Sequence, residues 1–232
     1  IGDVELDSVG LNHLSWIRGV KVCGKDVTQQ AFDAFLAKID EEWTDPAICA
    51  EMREAVRYLR AIPNGYLQYF YATDAAMARL RSRDKTRGEE VLDIERSLFE
   101  KYRDEHLDQK PEELSQRGGA HYSTAAFHLI DAIENNLNSR QVVCCRNNGA
   151  VPTFDDDVVL EVPALIGKDG ATAIPQEAPA PSIRGLMQLV KAYESLTVKA
   201  AVTGSRDTAL QAMLLHPLMP GLSGCSKILD EL

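Results

Sequence analysis

The stretch GLNHLSW, residues 10–16, decides how the chain is read. Residues 4–9 before it and 15–23 from its end onward have strand character, and KVCGKD (21–26) carries Gly24 as a turn residue, so a β-hairpin is expected near the start. The period then changes. From Thr28 apolar residues fall at Phe32, Phe35, Leu36, Ile39 and Trp43, the spacing of a helix face, with Thr28 as the expected N-cap. Asp45-Pro46 restarts a helix, Ile48, Met52, Val56 and Leu59 continue its stripe, and Pro63-Asn64-Gly65 ends it. The aromatic run YLQYFY (66–71) is expected to pack inside.

The same alternation of periods continues. RLRSRDKTRGEE (79–90) reads as a solvated linker or helix end, with an anion site as the alternative. Val91, Ile94, Leu98 and Tyr102 predict an amphipathic helix that stops at Lys110-Pro111. After the Gly118-Gly119 pair, Tyr122, Ala125, Ala126, Leu129 and Ile133 share one helical face. QVVCC (141–145) and VVLEVPALI (158–166) read as strands, GKDG (167–170) as a turn and IPQEAPAP (174–181) as an extended crossing. From Ser182 the chain is helical, with Ser205 capping one helix and His216-Pro217 ending it. The fold class expected is α+β: helix-rich, with a small mixed sheet.

Composition narrows the function. The chain has 232 residues, 45% hydrophobic, with a net charge of −10 and a pI of about 5.0. An acidic chain lacks the concentrated basic surface that phosphate backbones require, so nucleic acid is not an expected partner. No apolar run approaches the length of a membrane span. Five cysteines without a C-x-x-C pair read as free thiols in a reducing, cytoplasmic setting. The chain opens on Ile1 rather than Met and ends in ILDEL with its helical pattern still running, so both ends are read as cuts in a longer protein.

Several residues carry chemistry, each with a structural alternative. His13, beside Asn12, is a metal ligand or a hydrogen-bonded core histidine. Tyr122 stands at a helix start, where backbone N–H groups favour negative charge and ease ionisation of a phenol; it is a base, or one more residue of the apolar stripe. His128 is expected at the surface. Arg146-Asn147-Asn148-Gly149 ends a strand, where ligands are often held, although Asn-Gly is also a common turn. Cys144 and Cys145 point to opposite faces, one to the core and one outward. There is no dinucleotide fingerprint, P-loop, nucleophile elbow or zincin motif.

Together, GLNHLSW, RGGAHYSTAA and CRNNG, with PNGYLQYFY (63–71) and TALQAMLLHPL (208–218), resemble the family 4 glycoside hydrolases, and within them the 6-phospho-β-glucosidases. The resemblance covers essentially the whole chain. It implies an architecture like that of lactate and malate dehydrogenases, with residues 1–232 forming the C-terminal substrate and metal-site domain and an N-terminal NAD-binding Rossmann domain absent. It implies NAD and a divalent metal, manganese above all, held by His13 and by a cysteine outside this chain. It makes Tyr122 the catalytic base and places Asn12, Arg146 and Asn147 in the substrate and cofactor site. His121 departs mildly from relatives that often carry an aromatic residue there.

The implied reaction is hydride removal from C3 of the sugar, proton abstraction at C2, β-elimination of the leaving group, and reversal after water adds. The implied partner is a phosphorylated disaccharide or β-glucoside. A homo-oligomer, dimer or tetramer, is expected, and the isolated fragment is expected to be inactive. The alternatives are the C-terminal half of a related 2-hydroxyacid dehydrogenase and a non-catalytic oligomerisation or binding module.

Overall fold

The computed structural model describes residues 3–117 and 122–231. Strands β1 (Val4–Leu11), β2 (Leu14–Val22) and β3 (Lys25–Asp26) come first, followed by α1 (Thr28–Ala37), α2 (Ile39–Glu42) and α3 (Pro46–Leu59). After β4 (Ile62–Pro63) and a single 3-10 turn at Gly65–Leu67 come α4 (Gln68–Tyr71), α5 (Thr73–Arg81), α6 (Arg87–Lys101), α7 (Glu113–Arg117) and α8 (Tyr122–Glu134). Strands β5 (Ser139–Arg146), β6 (Val159–Gly167) and β7 (Gly170–Ala173) precede α9 (Pro181–Thr203), α10 (Arg206–Leu215) and α11 (Leu222–Glu231). The α+β expectation holds.

The strands form one sheet in the order β3-β2-β1-β6-β5, with β4 added on β2 and β7 on β6. The sheet is antiparallel rather than mixed. The reason lies in the connections: a two-residue turn joins β1 to β2, and such a link can only reverse the chain. The hairpin therefore turns at Asn12-His13, with Leu11 paired to Leu14. Its register shifts between Asp7 and Ser8, leaving Arg18 as the extra residue of a bulge. The bulged Arg18 donates to Asp7 Oδ1 (2.6 Å), to Gln176 Oε1 (2.9 Å) and to the Glu177 carbonyl (3.1 Å).

Gly10 is required by the sheet. It pairs with Ser15 on one side and Glu161 on the other, and a β-carbon there would overlap Ser15 Cα and the Leu14 carbonyl. Both obstacles are backbone atoms and cannot swing aside. Gly10→Ala is expected to cost about 3 kcal/mol, the upper end for forced overpacking; a denaturation midpoint equal to wild type would show that the hairpin yields.

Local signals explain most boundaries. Asp45 caps α3, its carboxylate accepting from the Ala47 and Ile48 amides, with Pro46 in the first turn. Ser205 caps α10. Thr28 is not a cap: Val27 holds that position, and the Thr28 hydroxyl accepts from the Val20 amide at 3.0 Å instead. The core gathers Val9, Leu11, Leu14 and Trp16 from the hairpin, Ile48 and Met52 from α3, Leu160 and Val162 from β6, and Ile183 and Met187 from α9. Of the aromatic run only Leu67 is fully buried; Tyr69, Phe70 and Tyr71 are half-buried against the core.

The chain divides into two compact units. One comprises the residues up to Ala76, Arg140–Leu165 and Ala171 onward; the other comprises Met77–Ser139 and Ile166–Gly170. In the second, Thr86 and Glu89 form a reciprocal capping box on α6. The basic run pairs locally, Arg83 with Glu90 (2.6 Å) and Lys85 with Asp93 (2.9 Å), which supports a solvated linker over an anion site. These exposed pairs add little stability each. Helix α8 buries Ala132 alone, so the apolar stripe expected to face inward is exposed at Tyr122 and Ile133, together with Phe127 and Ile130.

His216, at the end of α10, lies with its ring 4.6 Å from Tyr193 and 6.2 Å from Phe70, and its Nδ1 accepts from the Leu218 amide at 3.3 Å. Burial holds its pKa below the ordinary 6.5. The unfolded chain therefore takes the proton first as pH falls, so the contribution is complete above pH 6.5 and is lost below it. The urea midpoint is expected to drop between pH 7 and 5.5, and less so in His216→Gln; an equal drop in the variant would count against His216 as the source.

Candidate active site

The antiparallel register builds the site. Ile17 pairs with Ile62 and Trp16 with Pro63, and the Asn64 amide donates to the Ser15 carbonyl at 2.8 Å. Continuing that register brings Tyr66 opposite His13. Their rings meet edge to face, with centroids 4.5 Å apart and planes at 64°. His13 is exposed at the tip of the hairpin, not in the core. Its φ of 63° is the left-handed conformation, costly for a residue with a β-carbon. A strained, exposed imidazole at a two-residue turn points to function rather than packing.

Tyr66 is held from several sides. The Asn64 side-chain oxygen accepts from its amide at 3.0 Å. Trp43 Nε1 donates to the Gly65 carbonyl at 3.2 Å. Trp16 Nε1 donates to the hydroxyl of Tyr71, at the far end of the same segment, at 3.2 Å. Burial pushes the Tyr71 phenol up, while the indole donor works against that shift. Tyr71 is thus a poor base, whereas Tyr66 keeps 53% of its surface exposed. The sequence marks the PNGYLQYFY stretch but expects Tyr66 inside; its exposed place against His13 comes from a pairing between residues more than fifty positions apart.

The 146–158 turn comes to the same end of the sheet. Asn147 N donates to the Val158 carbonyl at 2.8 Å and Asn148 N to that of Asp156 at 2.9 Å, while Gly10 pairs with Glu161. Asn12-His13 and Arg146 therefore lie two strand spacings apart, or about 10 Å. Arg146 is exposed there, as is Asn12. Asn147 is fully buried. Its amide nitrogen faces the carbonyls of Val151 (3.1 Å), Phe154 (2.9 Å) and Asp155 (3.2 Å), and its oxygen accepts from the Val151 amide at 2.8 Å. Both ends of that side chain are committed to the loop, so it shapes the loop that follows Arg146. Cys145 packs against the core and Cys144 is exposed on the opposite face, as alternation requires.

Tyr122 opens α8 in the second unit with 71% of its surface exposed, so it is not covered by a core there. Gly118, Gly119 and His121, read from sequence as part of that helix start, lie outside the described residues. Among the described residues no three His, Cys, Asp or Glu side chains gather to hold a metal. His13 is therefore a single imidazole donor, which fits a metal only with ligands from beyond the described residues. A cleft of about 590 Å³ beyond the bulge includes Glu5, Asp7, Arg18 and Arg140, but its two arginines are already paired with Asp7 and Glu5. No helix is long and apolar enough to cross a membrane among the described residues.

Residues 8–219 match the family 4 glycosyl hydrolase C-terminal domain. The chain belongs to that family. It is 37% identical over 230 residues to the 6-phospho-beta-glucosidase BglT of Thermotoga maritima, covering 99% of this chain and 54% of that protein. It is 35% identical over 241 residues to a probable 6-phospho-beta-glucosidase of Bacillus subtilis, covering 99% and 53%. Among solved structures it is similar to the Thermotoga maritima 6-phospho-beta glucosidase with manganese, NAD+ and glucose-6-phosphate, at a TM-score of 0.87 and 36% identity, covering 99% of this chain and 53% of that one. The chain spans about half the length of these relatives. The family match sets aside the 2-hydroxyacid dehydrogenase alternative.

Proposed function

We propose that this chain is the substrate half of a 6-phospho-β-glucosidase. The His13–Tyr66 pair carries the reading: an exposed imidazole donor held in contact with an exposed phenol. NAD would accept and return a hydride at C3 of the sugar, and a divalent metal such as manganese would polarise the adjacent oxygens. His13 would supply one ligand to that metal. Tyr66, held against His13, is the phenol placed to take the C2 proton. Arg146, which makes no ion pair among the described residues, and Asn12 are both exposed at this end of the sheet and contact the phosphosugar or cofactor, while Asn147 shapes the loop that follows Arg146. A second reading keeps Tyr122 as the base, supported by its exposed place at the start of α8.

The substrate is a phosphorylated disaccharide or β-glucoside. The remaining metal ligands and the NAD site come from a Rossmann domain outside this chain. Free thiols support a cytoplasmic setting, and the exposed apolar side chains of α8 and of α9 at Val198 and Val202 support a homo-oligomer.

The test extends the chain to the full length of its relatives and follows cleavage of a chromogenic 6-phospho-β-glucoside. Turnover is expected only with both NAD⁺ and Mn²⁺, and His13→Ala should abolish it. Turnover that needs neither cofactor would overturn the reading.

A further inference from the structure

Beside Tyr66 lies a shallow cavity of about 320 Å³, lined by Glu42, Trp43, Asn64, Gly65, Tyr66 and Gln68. That volume is near the low end for small-molecule sites, about 300–1,000 Å³, and suits a single ring. Glu42 ends α2, and its Oε1 lies close enough to overlap a β-carbon placed on residue 65, so the absence of a side chain at Gly65 lets the carboxylate approach the segment that carries Tyr66. Among the described residues the Glu42 carboxylate makes no hydrogen bond or ion pair, and the Asn64 side-chain nitrogen takes no partner. Acceptors and a donor thus surround an aromatic edge. No cation lines the cavity, and the carboxylate would repel a phosphate.

We infer that this cavity is the subsite for the leaving group, and that it takes a neutral hexopyranose through its hydroxyls. The inference rests on the proposed reaction for the word "leaving"; the binding site itself stands on the cavity. A ring seated there touches Tyr66 and is adjacent to the bond that breaks, while the phosphate of the other sugar is directed away from Glu42. Glu42 is then a specificity residue: it favours a second sugar over an aryl group, which offers no hydroxyls to a carboxylate.

Binding is read on the 232-residue chain by amide chemical shifts during titration with cellobiose at millimolar concentration, with inorganic phosphate as the contrasting probe. Saturable shifts are expected at Glu42, Trp43 and Tyr66–Gln68 with cellobiose and not with phosphate. Glu42→Ala should weaken cellobiose about tenfold or more, and Glu42→Gln, which keeps the shape, severalfold. Shifts confined to other residues, no saturable shift, or unaltered affinity in both variants would overturn the subsite. In the full-length enzyme, Glu42→Ala should lower kcat/KM about tenfold for a 6-phospho-β-disaccharide and leave an aryl 6-phospho-β-glucoside within about twofold; an equal loss on both would refute specificity. Failure of the proposed reaction would appear separately, as no turnover of either substrate by the unaltered enzyme.

Discussion

Tyr66→Phe in the full-length enzyme is expected to lower kcat by about 10²–10⁴-fold, the usual contribution of a positioned base. The variant keeps the ring against His13 and loses only the hydroxyl, so metal binding and KM should change little. Tyr122→Phe should cost less than about tenfold. The contrast follows from the register that sets Tyr66 against His13. Primary isotope effects sharpen the test: deuterium at C2 of the substrate should slow Tyr66→Phe more than wild type, because proton removal becomes the slow step. The reverse pattern, with Tyr122→Phe inactive and Tyr66→Phe near wild type, would return the base to Tyr122.

Asn147→Ala is expected to be the most damaging single change to stability, at about 4 kcal/mol. It removes a fully buried side chain and leaves the Val151 amide and the carbonyls of Val151, Phe154 and Asp155 without that partner. Each buried polar group stranded in this way costs about 1–3 kcal/mol. Asn147→Asp should be no better: the oxygen facing Val151 survives, but a charged oxygen replaces the donor facing three carbonyls. Urea denaturation of both variants checks this. A loss below about 1 kcal/mol for the alanine variant would mean that the loop draws its order from elsewhere.

The elements with local causes were legible in the sequence. Asp45-Pro46 and Ser205 announced helix starts because a cap is a contact between neighbours in the chain. The stripe Ile48, Met52, Val56 was legible because its period is local and its face is buried. What escaped depends on distant pairing. Thr28 looks like a cap until β2 offers its amide to the hydroxyl. The apolar face of α8 predicts burial, yet a periodic pattern cannot say what covers it. His13 and the RNNG stretch were legible as candidates. That Asn147 folds inward and Arg146 outward required the β5–β6 register, and nothing adjacent to Tyr66 in sequence says that it meets an imidazole.

The chain contains only two tryptophans, and both indole N–H groups hold the 65–71 segment, one at Gly65 and one at Tyr71. Indole emission responds to the hydrogen bonding of that group, so the intrinsic fluorescence of the protein reports on this one segment with no label added. Any movement of the segment that lengthens either bond would change tryptophan emission, so occupancy of the neighbouring cavity, which Trp43 itself lines, could be followed without a label.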